Sequence, residues 1–145
     1  MINEVIHEAV KKCDKANLSF KTNIPDLIPH VEADVSKITW VLGQLLDNAV
    51  KFNQRSGEVA LRVVTSKSRV SFEVSDTGIG IEKERLKEIF EPFHQLDGSA
   101  TRRYGGTGLG LSMAKEIVQG HGSKIYVESN LDGGSTFGFS LPIYQ

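Results

Sequence analysis

Val70-Ser71-Phe72-Glu73-Val74-Ser75-Asp76-Thr77-Gly78-Ile79-Gly80-Ile81 alternates apolar and polar side chains for six residues, then sets a carboxylate where the next apolar residue is due. A period of two places Val70, Phe72 and Val74 on one face of a strand, and Asp76 falls on that same face. A carboxylate turned toward a core is costly unless something hydrogen-bonds to it, so a specific partner for Asp76 is expected. Gly78 and Gly80 allow a turn with positive φ and the close approach of a flat ligand. A plain Asp-Gly turn between two elements fits the same six residues, and the hexapeptide alone leaves both readings open.

Outward from this run, Glu58–Thr65 is a second strand pattern, joined to it by Ser66-Lys67-Ser68 as in an antiparallel hairpin. Upstream, Asp34 is a good N-cap for a long helical pattern reaching Phe52, with the apolar stripe Ile38, Val41, Leu42, Leu45, Leu46 and Ala49. The chain starts with a helix over residues 2 to about 15. A strand through Leu18, Phe20 and Thr22 follows, then a Pro25 and Pro29 loop and a short extended piece at Val31. Downstream, the pattern predicts a short helix over 83–89, a long loop over 94–107 and a helix over 109–118. Two closing strands, 124–129 and 136–141, flank Asp132-Gly133-Gly134. Helices and strands mixed in this way suggest a sheet covered on one face by helices.

The 145 residues suit one domain, and 39% hydrophobic with 24% charged residues is a globular composition. A net charge of -1 provides no electrostatic reason to expect nucleic acid or an anionic membrane as partner. Cys13 is alone and has no zinc spacing with His7, His30, His94 or His121, which fits a reduced, cytoplasmic setting. No apolar run approaches the ~20 residues that span a bilayer and no signal-peptide pattern is present. Direct membrane contact is not expected, although a longer, membrane-anchored parent is compatible with this piece.

Three constellations carry chemistry. On the long helix, Gln44, Asn48 and Lys51 sit at spacings of four and three, with amide oxygens suited to Mg2+ and a cation for the same anion; a solvated helix face is the competing reading. Gly105-Gly106-Thr107-Gly108-Leu109-Gly110-Leu111 places glycines before and inside the first turn of a helix, a ready anion site. It is neither a Walker A sequence nor a dinucleotide fingerprint. Arg102 and Arg103 lie just upstream, where they could close on phosphates. Phe90-Glu91-Pro92-Phe93 fits a small satellite of core or a hinge for the loop.

Taken in order, Leu45-Leu46-Asp47-Asn48-Ala49-Val50-Lys51-Phe52, Asp76-Thr77-Gly78-Ile79-Gly80-Ile81, Phe90-Glu91-Pro92-Phe93, Gly106-Thr107-Gly108-Leu109-Gly110-Leu111 and Gly134-Ser135-Thr136-Phe137 closely resemble the N box, first glycine box, F box, second glycine box and last glycine box of sensor histidine kinases. The resemblance spans residues 30–142 and implies the catalytic, ATP-binding domain of such a kinase, in the GHKL superfamily. The implied fold is α+β: a two-layer α/β sandwich of Bergerat type, its mixed, mostly antiparallel sheet covered on one face by helices. A single domain over 1–145 would hold a leading helix and strand in 1–29, the motif-bearing core in 30–142 and a flexible ATP lid in 94–107.

Carried over by position, Asp76 would accept a hydrogen bond from the adenine amino group, with Thr136 helping through a bound water. Asn48 would hold Mg2+, with Gln44 as a second candidate ligand. Lys51 and an arginine of the lid, Arg102 or Arg103, would meet the phosphates. The backbone of Gly106, Gly108 and Gly110 would cradle them, while Phe52, Gly78, Gly80, Ile81, Phe93, Thr107, Leu109 and Leu111 complete the nucleotide site. The implied partners are ATP and ADP, a histidine-bearing dimerisation domain of the same parent, and the receiver domain of a response regulator. Two departures matter. The position four before the metal asparagine is usually also asparagine and is here Gln44, where ATP-hydrolysing relatives carry a glutamate base; Gln44 is a poor base, so steady hydrolysis is not expected. His7-Glu8 is followed by Ala9-Val10-Lys11-Lys12 rather than by the rest of an H box, so the phosphoacceptor histidine is expected elsewhere and the isolated domain should phosphorylate itself poorly. The remaining alternatives are a protein-serine kinase of the anti-sigma type and a non-catalytic module that binds ATP and transfers nothing.

Overall fold

The computed structural model describes residues 2–54, 56–91, 110–130 and 133–144. Helix α1, Ile2–Lys15, buries Val5, Ala9 and Cys13 at four-residue steps, and strand β1, Ser19–Asn23, follows it. Helix α2, Val35–Lys51, starts where expected: the Asp34 carboxylate accepts the Lys37 N–H at 3.1 Å, a cap worth ~1 kcal/mol. The Asp34 N–H in turn donates to His121 Nε2 at 3.0 Å, tying the start of α2 to the end of the third helix, α3, Gly110–Gly120. All six residues of the predicted α2 stripe are buried.

Strands β2, Glu58–Thr65, β3, Arg69–Asp76, β4, Tyr126–Asn130, and β5, Gly134–Pro142, complete a five-stranded sheet in the order β1-β2-β3-β5-β4. β1 runs parallel to β2 and the other three pairings are antiparallel, as the fold class predicts. β3 runs on to Asp76 and β5 starts at Gly134, both further than the sequence pattern shows, because the ladder pairs Asp76 with Val59 on one side and Ser135 on the other. The inner face carries Val59, Leu61 and Val63, Val70, Phe72 and Val74, and Phe137, Phe139 and Leu141, all buried in one cluster with the helices. Phe72 and Phe139 stack at 5.4 Å at its centre. Lys12 of α1 pairs with Asp47 of α2, fixing the two helices over the sheet.

The short helix expected over 83–89 is instead one 3-10 turn, Lys83–Arg85, followed by further turns. Arg85, Leu86 and Glu88 each donate to the carbonyl three residues back, the Glu82 side chain makes no capping bond, and of residues 83–89 only Ile89 is fully buried. With a single fully buried residue and no side-chain cap, so short a segment has little to offset helix nucleation.

Candidate functional site

The inner face of the sheet changes character along one row. Phe20, Val59, Asp76, Ser135 and Ser129 are cross-strand neighbours on β1, β2, β3, β5 and β4 in turn. Two apolar residues are thus followed by three polar ones. Asp76 does lie on the apolar face, as its place in the alternation predicts. Beside it opens a cavity, open to solvent on one side, lined by Asn48, Phe52, Asp76, Ile79, Gly80, Ile81, Ile89, Leu111, Ser135 and Phe137.

The Asp76 carboxylate has backbone partners and, among the described residues, no cation. Its Oδ1 accepts the Gly78 N–H at 2.8 Å, while the ion pairs among the described residues join other groups. Burial pushes the Asp76 carboxyl above the usual range, and the amides of Gly78 and Ser135 only partly offset that. Gly78 is required by closeness rather than by a positive φ: a Cβ there would come within 2.3 Å of the Phe52 carbonyl oxygen. Gly80, with φ of 74°, supplies the left-handed turn. The turn is then pinned to the sheet, because the Ile81 N–H donates to the Ser129 hydroxyl at 2.6 Å.

Helix α2 contributes one ridge to the site. Gln44, Asn48 and Phe52 follow one another at four-residue steps; Asn48 and Phe52 line the cavity, while the Gln44 amide lies against the start of α3. A Cβ at Gly110 would meet Gln44 Oε1 at 2.4 Å, so the glycine leaves room for that amide. Lys51 is off the ridge and lines a separate shallow groove with Lys12, Lys15 and Asp47. The face expected to hold Gln44, Asn48 and Lys51 together is therefore divided between two sides of the helix. Asn48 offers a hard amide oxygen at the cavity wall, and a magnesium ion carried mainly by phosphate oxygens and water needs few protein ligands, so this donor set fits Mg2+ bound with a nucleotide. No cluster of three acidic, histidine or cysteine side chains suited to a metal occurs among the described residues.

Thr136 does not face the cavity. It pairs with Ser75 in register and shares a 2.9 Å hydroxyl contact with it on the outer face of the sheet. Ser135, only 7% exposed, takes the inner position beside Asp76. Neither Ser135 nor Ser129 is among the expected site residues, although Ser135 shares the parity of Phe137, Phe139 and Leu141 and so is legible from the alternation that locates Asp76. Gly110 and Leu111 begin α3, with Leu111 at the cavity wall. Phe90 meets Phe137 edge to face at 6.1 Å, in keeping with a satellite of core. Phe93, Arg102, Arg103, Gly106, Thr107, Gly108 and Leu109, and with them the lid expected over 94–107, lie outside the described residues.

Residues 33–145 match the family described as histidine kinase-, DNA gyrase B- and HSP90-like ATPase. The circadian input-output histidine kinase CikA of Synechococcus elongatus is 47% identical over 110 residues, which cover 76% of this chain and 15% of CikA. The chain therefore spans a small part of that relative's length. The catalytic domain of histidine kinase ThkA, solved free of nucleotide, superposes with a TM-score of 0.81 at 31% identity, covering 98% of this chain and 94% of that one. Full-length ShkA, solved with AMPPNP, gives a TM-score of 0.84 at 26% identity over 100% of this chain and 30% of its own. The chain belongs to the histidine kinase-, gyrase- and HSP90-like ATPase family, with the fold of histidine kinase catalytic domains.

Proposed function

From membership of that family, we propose that this domain binds Mg-ATP and presents its γ-phosphate to a histidine on a separate dimerisation domain, from which a response regulator receives it. The observation that carries the reading is Asp76, a largely buried carboxylate at the wall of an apolar cavity with no cation partner among the described residues. Such a group is a hydrogen-bond acceptor awaiting a donor, and the adenine amino group is one, whereas guanine presents an acceptor at the same place. The walls formed by Ile79, Ile81, Leu111 and Phe137 suit a flat, apolar base. Ser135, next to Asp76 in the row, takes the part that the resemblance assigns to Thr136.

At the other end of the site, Asn48 would hold the magnesium ion, which supplies charge neutralisation at the phosphates. The protein's share in the transfer is positioning. Gln44, packed on Gly110, offers no carboxylate to activate water, which supports transfer over hydrolysis. Calorimetric titration of the chain with ATP and with GTP, with and without magnesium, tests the binding half: ATP should bind in a magnesium-dependent way and GTP should not. Asn48→Ala should abolish the magnesium dependence. For the transfer half, labelled ATP and an added histidine-bearing helical domain should give acid-labile phosphate on that domain. Acid-stable label on serine, or no transfer despite tight ATP binding, would overturn it.

A further inference from the structure

The three polar residues that end the inner row are not equivalent. Ser129 Oγ accepts the Ile81 N–H at 2.6 Å, lies 2.9 Å from Ser135 Oγ and is 3.1 Å from the Gly134 carbonyl oxygen. A serine hydroxyl has one proton to give. If Ser129 gives it to Gly134, Ser135 must donate to Ser129 and has no proton left for the cavity. If Ser129 gives it to Ser135, the nearer of the two, the Ser135 proton is free to point at a ligand. Adenine carries an acceptor, N1, next to its 6-amino group. A base whose amino group is held by Asp76 therefore brings N1 toward the neighbouring position of the row, where a donor is needed.

We propose that Ser129 is a positioning residue for the base: by donating to Ser135 it turns the Ser135 proton toward N1 of the adenine, directly or through one water, and by accepting from Ile81 it holds the wall against which the ring lies. This rests on the assignment of the Asp76 cavity as the adenine site. Ser129 touches neither the nucleotide nor the reacting atoms. Its contacts lie on two segments far apart in sequence, the turn after β3 and the start of β5, so one hydroxyl aligns both sides of the base pocket.

The test compares ATP with 1-deaza-ATP, which lacks the N1 acceptor, in the wild-type chain and in Ser129→Ala, Ser129→Thr and Ser135→Ala. Wild type should bind ATP about tenfold more tightly than the deaza analogue, the value of one oriented hydrogen bond. Ser129→Ala and Ser135→Ala should bring that ratio close to one, and Ser129→Thr, which keeps the hydroxyl, should restore it. A variant that only loosens the sheet weakens both ligands equally, so an unchanged ratio in Ser129→Ala overturns the proposal, as does a wild type that does not distinguish the two ligands. Failure of the underlying adenine assignment is seen separately, as full ATP affinity in Asp76→Asn.

Discussion

Strand β3 carries two carboxylates three residues apart, one on each face of the sheet, and they live in opposite circumstances. Glu73, on the outer face, belongs to the row Arg62, Glu73, Gly138 and Tyr126. It takes Arg62 Nη1 at 3.2 Å on one side and, across Gly138, the Tyr126 hydroxyl at 2.7 Å on the other. That partnership is closed, and burial together with the Glu73 carboxylate holds the Tyr126 phenol well above its ordinary range. Asp76, on the inner face, has backbone amides and an open cavity beside it, and no cation among the described residues. A carboxylate paired within the fold serves the sheet, whereas one that faces a cavity is free to accept from a ligand's donor.

The sharpest way to break this contrast is Asp76→Asn. Removing a charged acceptor for the adenine amino group should lower ATP affinity about 10²-fold by calorimetry, while the melting temperature of the unliganded chain holds or rises. A fall in melting temperature with affinity intact would make Asp76 a structural residue after all. The pH dependence comes next. Because burial raises the folded-state pKa of Asp76 above its unfolded value, its contribution to stability is complete below the ordinary carboxylate range and is lost as pH rises through the raised value. The melting temperatures of wild type and Asp76→Asn should therefore draw together as the solution is acidified and separate toward neutrality. ATP affinity should run the other way, weakening as Asp76 takes up its proton, by up to about tenfold per pH unit.

Ser135→Ala should cost about tenfold in ATP affinity, and Thr136→Val, on the opposite face, less than about twofold; the reverse order would mean that Thr136 serves the nucleotide. The smallest effect belongs to the outer row. Glu73→Gln should cost ~1 kcal/mol of stability in chemical denaturation, since its partners are partly exposed, and should leave ATP affinity unchanged.

Much of this was legible in one dimension. The α2 stripe from Ile38 to Ala49, its Asp34 cap and the inward parity of Asp76 all follow from local periodicity, which depends only on the 3.6-residue turn and the two-residue pleat. The grouping on α2 was less so. Spacing alone joins Gln44, Asn48 and Lys51, yet the packing of α3 on one side and α1 on the other gives Gln44, Asn48 and Phe52 a common ridge and turns Lys51 toward α1. The 83–89 segment has helical spacing but too little burial to form more than a 3-10 turn.

Local periodicity is enough to put a carboxylate on the apolar face at the end of β3, and chain order fixes the succession of motifs around it. What stands beside that carboxylate is set by the folded sheet. Ser135 and Ser129 reach it through the pairing of β5 with β3 and of β4 with β5, contacts that join residues up to some sixty positions apart. Parity assigns a residue to a face, but the register that aligns one strand with its neighbour is set when the whole sheet closes over its core, and no local pattern contains it.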